Sequence, residues 1–440
     1  MFANVFLVLC AYYFIKPLRE GWLAISPIEG LEKWEIKAYS SFAQSLLLLP
    51  IVGWYGRLAG MWDRGTLITR ATLFCISNMV IFWFFQPNLF FGELPWSGIV
   101  FYLWVGMFGV FVVAQFWTFC ADVYTDERGK RMLPMIAIGA TSGAAAGSWI
   151  VGQLLASEIV GTKALLLVAT VPLLASIALT RIVDGRERAT APPTEGDSPE
   201  AGKEPSERGL GFLLDGAKLV LISRFILAAA VVTLLLNWVN TNGENLLFKV
   251  IQETLASQAV ERGVTDPTAV NEFTHAGTTA FYSNFFFWVN IVALLLQSIV
   301  ASRLLKYGGF AAILLMLPVI ALVSYATMAL LPVLAIVKVM KIAENATDYS
   351  INNTARHVVW LPMSSEIKFR GKPAIDTLYV RIGDGMAALT VAFGVHILAL
   401  ATETYFIFNV SLVLLWFAFA FLLIREHRKA SEANPSHGAE

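Results

Sequence analysis

Charge is scarce in this chain: only 15% of its 440 residues are Asp, Glu, Lys or Arg, where a soluble globular domain carries about 25%. That shortfall argues against a water-soluble enzyme. Neither sign predominates, with 32 bases against 32 acids, and a nucleic-acid partner is not expected, because such binders concentrate basic charge. Cysteine is nearly absent too. The three present, Cys10, Cys75 and Cys120, sit in apolar stretches, which offers neither a disulfide framework nor a thiolate metal site and excludes redox chemistry. The five histidines, His275, His357, His396, His427 and His437, fall at no metal-ligand spacing, and neither G-x-S-x-G nor H-E-x-x-H occurs. No cofactor is expected, and an enzyme is the weakest functional class.

Apolar residues are abundant instead, at 57% of the chain with a mean hydropathy of +0.65. A helix crosses a bilayer in about 20 residues, and runs of that length fall near 2–24, 38–56, 71–90, 98–121, 133–155, 164–180, 225–246, 280–302, 309–331, 333–355, 374–400 and 404–424. The expectation is an all-α polytopic membrane protein with about twelve transmembrane helices. Met1–Phe14 has no basic start and no small-residue cleavage site, so the first run reads as a helix rather than a cleaved signal. Most Lys and Arg fall in alternate loops and the tail, including Arg57, Arg64 and Arg70, Arg128, Lys130 and Arg131, the stretch from Arg181 to Arg224, Arg303 and Lys306, Lys368 to Lys372, and Arg425 to Lys429. Cytoplasmic loops retain such residues, which places both termini in the cytoplasm.

The longest hydrophilic break, Asp184–Gly209, is rich in Pro, Glu, Gly and Ser and cannot bury enough apolar surface to fold. It separates six spans from six, an arrangement that resembles the major facilitator plan of two six-helix bundles rocking about a midplane site. The expected organisation is an N-terminal bundle over 1–183, a cytosolic linker with an amphipathic segment over 184–223, a C-terminal bundle over 224–430 and a tail over 431–440. An external, partly helical loop over 250–277 is expected between spans seven and eight, where Glu253, Glu261, Arg262 and Asp266 cluster.

Charges inside the spans matter most, since each costs about 2.5–3.5 kcal/mol to insert at a helix centre. Span one carries Lys16-Pro17-Leu18-Arg19-Glu20, which on a helix puts two bases and an acid on neighbouring faces; snorkelling to the membrane surface is the bland alternative. Span seven carries Asn237, Asn240 and Glu244 at helical spacing, and span ten carries Lys341, Asn345, Asp348, Asn352 and Arg356, with Lys338 and Glu344 beside them. Stripes of that kind line water or another polar helix. Span eleven adds the i,i+3 pair Arg381 and Asp384, which reads first as an internal salt bridge. Gly139, Gly143 and Gly147 in span five recur every four residues and read as a close-packing face rather than a phosphate loop, lacking the Lys-Ser/Thr of a P-loop.

Past span ten a resemblance emerges. Tyr349-Ser350, Arg356, Leu361-Pro362, Lys368, Gly371-Lys372, Ala374-Ile375-Asp376 and Gly383, with Phe116-Trp117-x-Phe119, Lys130, Pro134 and Gly139-Ala140 in the first half, resemble the ATP/ADP translocases, the nucleotide transporter family of plastids and intracellular bacteria. The resemblance implies twelve helices, no ATP hydrolysis, and exchange of an external nucleotide for an internal one across a bacterial inner membrane. Of four charged positions important in the family, three keep their charge here, at Arg19 (followed by Glu20), Glu244 and Arg356, while the fourth, a glutamate, falls at Val105. Two family lysines are thus arginines, which grip phosphate as a fork rather than a point charge.

The resulting expectation is a secondary transporter of an anionic, nucleotide-like (ATP/ADP) solute, embedded in the lipid bilayer. Arg19 and Arg356 would clamp the anion, Lys16, Glu20, Asn240, Lys341, Asn345 and Asn352 would line its path, and Glu244, assisted by Asp348, would change ion pairs during alternating access. Arg381, Asp384 and Asp376 would serve gating or structure. The rivals are a proton-coupled transporter of another small polar solute, with Glu244 or Asp384 as carrier, and a membrane sensor or assembly subunit that moves nothing.

Overall fold

The computed structural model describes residues 1–59, 64–92, 94–123, 126–157, 160–190 and 223–433. Among them nearly every element is a helix, and the sole extended pairing is an isolated bridge between Pro87 and Phe91. In chain order the helices are α1 (Phe2–Ala24), α2 (Lys33–Ala59), α3 (Arg64–Phe84), α4 (Ser97–Val123), α5 (Asp126–Ala156), α6 (Thr162–Val168), α7 (Thr170–Thr190), α8 (Arg224–Glu261), α9 (Pro267–Leu295), α10 (Ser302–Leu330), α11 (Leu334–Thr347), α12 (Asn353–Val358), α13 (Ser365–Ala374), α14 (Val380–His396) and α15 (Thr402–Ala433). Wider π turns stand at Leu296–Ala301, Asp348–Asn352 and Ile375–Tyr379. Nine helical stretches of the described residues are long and apolar enough to cross a membrane, and one of these, Pro267–Leu330, holds two of the expected spans.

Several breaks have local causes. The sixth span divides at Ala169, where Pro172 has no N–H to offer the Val168 carbonyl one turn back. Between the eighth and ninth spans α10 is broken by a kink at Gly309, whose φ of +65° is open to glycine but strained for other residues. The stretch 250–277 is far less of a loop than its charges suggest: α8 continues to Glu261 and α9 begins at Pro267. Most of the linker over 184–223 and of the tail lies outside the described residues.

The chain forms two compact units, and they do not follow the linear division at the linker. The first comprises Met1–Ile36, Leu47–Pro205 and Leu255–Ile291; the second comprises Lys37–Leu46, Ser206–Thr254 and Val292–Glu440. The crossovers follow from packing. In the first unit α9 lies against α1, with the Phe286 ring edge-on to Tyr13 at 5.8 Å and Gly21 so close to His275 and Thr279 that no Cβ would fit. In the second, the middle of α2 places the Lys37 ammonium 4.8 Å from the Phe248 ring and Phe42 against Gly385.

Helix α1 is the axis of the first unit and is buried along most of its length. Its amino-terminal half runs along the glycine face of α5: Cβ atoms at Gly139, Gly143 and Gly147 would press into Phe2, Phe6 and Cys10, at the last two into backbone. The four-residue spacing read as a packing face is thus met by an equal spacing on the partner helix, the close approach that small residues permit in membranes. Asn4 donates to Thr180 Oγ1 at 2.7 Å and accepts from Ser176 Oγ at 2.6 Å, tying α1 to α7. Substituting Gly143 with leucine is expected to destabilise the unit by about 1–3 kcal/mol or more, read as a lower unfolding temperature of purified protein. An unchanged temperature would mean that the helices separate freely.

Candidate functional site

Among the described residues each unit carries a cluster of charge inside its spans. In the first, Arg19 is nearly buried and Glu20 wholly so; Arg19 donates from Nη2 and Nε to Glu20 Oε1 at 2.7 and 3.1 Å. The guanidinium also lies 4.3 Å from the centre of the Tyr102 ring on α4, a cation–π contact. One turn earlier, the Lys16 ammonium stands over Phe286 at 4.1 Å and Tyr13 at 4.9 Å, with Tyr12 at 5.9 Å. The cluster therefore holds two bases and one acid in an aromatic setting. Val105, also on α4, is fully buried one turn from Tyr102.

The second unit's cluster centres on Lys341, which has no exposed surface. Its ammonium lies 2.8 Å from Glu344 Oε2, 3.5 Å from Glu244 Oε1 and 3.3 Å from Asn240 Oδ1. Asn345 donates to Glu244 Oε1 at 2.8 Å, and the Tyr325 hydroxyl lies 2.9 and 3.0 Å from the two Glu344 oxygens and 3.1 Å from the Val239 carbonyl. The backbone makes this possible at Gly243, where any Cβ would collide with the Tyr325 hydroxyl and the Lys341 ammonium. Asn409 of α15 accepts from Asn242 at 3.1 Å and donates to the Val239 carbonyl at 3.4 Å.

Four of the expected site residues, Asn240, Glu244, Lys341 and Asn345, thus meet directly. Asp348, Asn352 and Arg356 continue the row: Asn352 donates to Asp348 Oδ1 at 2.6 Å, and Arg356 Nη2 lies 3.8 Å from the same oxygen. At 3.6 residues per turn a stripe from Lys341 to Arg356 drifts by about 60°; the π turn at Asp348–Asn352, being wider, offsets that drift. Arg356 is exposed and lines a small open cavity together with Thr233, Asn352, Trp360 and Asp376. Asp384 pairs with Arg381 at 3.4 Å and accepts from Thr241 at 2.9 Å.

The sequence stripe of span seven splits. Asn237 donates to the Thr233 carbonyl of its own helix and packs against Gly383 instead of joining Glu244. Glu344 and Tyr325 are the residues that sequence reasoning left aside. Glu344 had a signal, its i,i+3 spacing from Lys341, whereas Tyr325 sits on another helix in an apolar run and had none.

Residues 310–427 match the family model described as TLC ATP/ADP transporter. The ADP,ATP carrier protein 1 of Chlamydia pneumoniae is 23% identical over 129 residues, covering 25% of this chain and 25% of the carrier, so the match spans a quarter of that relative's length. Among solved structures, a bacterial homolog of the human lysosomal transporter Spinster, in an inward-facing and unoccupied conformation, aligns with a TM-score of 0.57 at 13% identity over 98% of both chains. The nucleoside transporter NupG aligns with a TM-score of 0.57 at 14% identity, over 96% of this chain and 99% of that one. The peptide transporter PepTSo aligns with a TM-score of 0.60 at 12% identity, over 97% and 98%. At such identities the likeness is one of fold, that of the helical polytopic membrane transporters.

Proposed function

We propose that this chain, whose residues 310–427 match the TLC ATP/ADP transporter family model, is a secondary transporter moving an anionic, nucleotide-like solute across the bacterial inner membrane by alternating access and exchange. The observation that carries the proposal is the family match, because its residues include Lys341, Asp348, Asn352, Arg356 and Asp376. The excess of base over acid in the cluster of Lys16, Arg19 and Glu20 supports an anionic cargo. Lys16 and Arg19 supply its anion-binding arm, with Tyr12 and Tyr102 at hand for an aromatic base; Arg356 supplies the arm of the second unit, at the rim of its cavity. Both termini lie in the cytoplasm, since the basic loops fall on their side.

Counter-flow tests this reading. Proteoliposomes loaded with unlabelled ADP are expected to take up labelled ATP saturably, and uptake is expected to need internal ADP and to vanish on Arg356→Ala. A correctly inserted, monodisperse preparation that takes up no ATP would overturn nucleotide exchange. Other organic anions would then be screened by thermal shift, where a ligand at a hundred times its Kd stabilises by about 2.7 kcal/mol.

A further inference from the structure

Arg356, the anion-binding arm of the second unit in the reading above, has an acid close by that does not close on it. Its Nη2 lies 3.8 Å from Asp348 Oδ1, and its side chain stays 46% exposed. Arginine and carboxylate ordinarily meet at about 2.7–2.9 Å, often through two parallel hydrogen bonds, so this pair stands about 1 Å short of contact. A competitor holds the same oxygen. Asn352 donates to Asp348 Oδ1 at 2.6 Å and is itself buried. Asp348 and Asn352 are the first and last residues of one π turn, and Arg356 follows a turn later on α12.

We infer that Asn352 is a positioning residue, a keeper that holds the Asp348 carboxylate off Arg356 and leaves the guanidinium open to the phosphate of a solute. Asp348 is then an internal rival of the solute for one cation. If Asp348 closed on Arg356, the fork would be filled before any anion arrived. An arm open for only a fraction of the time binds with its apparent Kd raised by the reciprocal of that fraction. Asn352 therefore acts through Arg356 rather than by lining the solute's path. Asp376, the other acid at this cavity, sits on a separate π turn and keeps its charge in every variant below. The benefit to an anionic solute rests on the transport reading above, whereas the contest for Arg356 needs no solute.

Two measurements on the full chain test it. In proteoliposomes, the external ATP concentration that half-saturates counter-flow is expected to rise about tenfold or more in Asn352→Ala, with the maximal rate little changed, as befits a lost hydrogen bond to a charged group. Asn352→Leu, close in shape but without the donor, should behave alike. Asp348→Asn should lower that concentration by no more than about fivefold, since so exposed a pair is worth little. The double variant Asn352→Ala, Asp348→Asn should match Asp348→Asn alone, because no rival charge is left to hold. An equal rise on Asn352→Ala in both backgrounds would mean that Asn352 touches the solute, and would overturn the assignment. In detergent without solute, modification of Arg356 by phenylglyoxal, followed by mass spectrometry of its peptide, should slow several-fold in Asn352→Ala and recover in the double variant. ATP counter-flow with both readouts indifferent to Asn352 would sink the keeper and leave transport standing; the expected labelling pattern in protein that neither binds nor moves ATP would do the reverse.

Discussion

Replacing Lys341 with methionine is expected to destabilise the protein by about 3–5 kcal/mol at pH 8, because it leaves Glu344 buried without its ammonium in a position almost closed to solvent. Chemical denaturation in mild detergent would measure the loss. The double variant Lys341→Met, Glu344→Leu should recover most of it, since removing both members of a buried pair is often neutral. The single variant's deficit should narrow as pH falls, because an unpaired carboxylate that takes up a proton no longer carries a buried charge. A loss below 1 kcal/mol that is also independent of pH would mean that solvent reaches the cluster freely.

The second large effect is expected at Arg19. Its guanidinium donates twice to one Glu20 oxygen and lies over Tyr102, so Arg19→Ala removes the fork proposed to hold the anion and strands a buried acid. Truncating one partner of a hydrogen-bonded buried charge costs about 2–5 kcal/mol, and loss of a contact of that size to a bound anion would cut counter-flow roughly 30-fold or more. Arg19→Lys keeps the charge and loses the planar fork, and should fall between the two. Normal transport by a folded Arg19→Ala protein would remove Arg19 from the substrate path.

Where local chemistry decides, the sequence is a good guide. The first run, near 2–24, is helix α1 from Phe2 to Ala24, and the glycines of span five do form a packing face. The row from Lys341 to Arg356 is legible in its three- and four-residue spacing, while the π turn that offsets its drift is not. What depends on a partner far along the chain is another matter. Tyr325 joins the cluster only because α10 lies beside α11, and Gly243 is required only because the Tyr325 hydroxyl occupies the space of its missing Cβ. Asn237 matched the stripe by spacing, yet a carbonyl of its own helix takes its amide. The π turns are illegible for a related reason: each trades one hydrogen-bond register for another, a choice that surrounding packing makes and composition does not.

The glycine ladder between α1 and α5 also anchors α1 mechanically. Its first half is fixed by backbone at Phe6 and Cys10, and a slip of less than a full turn would bring side chains where only glycine fits. The second half, with Lys16 and Arg19, is held by aromatic rings, by Glu20, by the His275–Thr279 edge of α9 and by Gly98 of α4, where a Cβ would press into the Trp22 backbone. Helix α1 is therefore anchored at both ends, and its basic residues sit on the stretch between the two anchors.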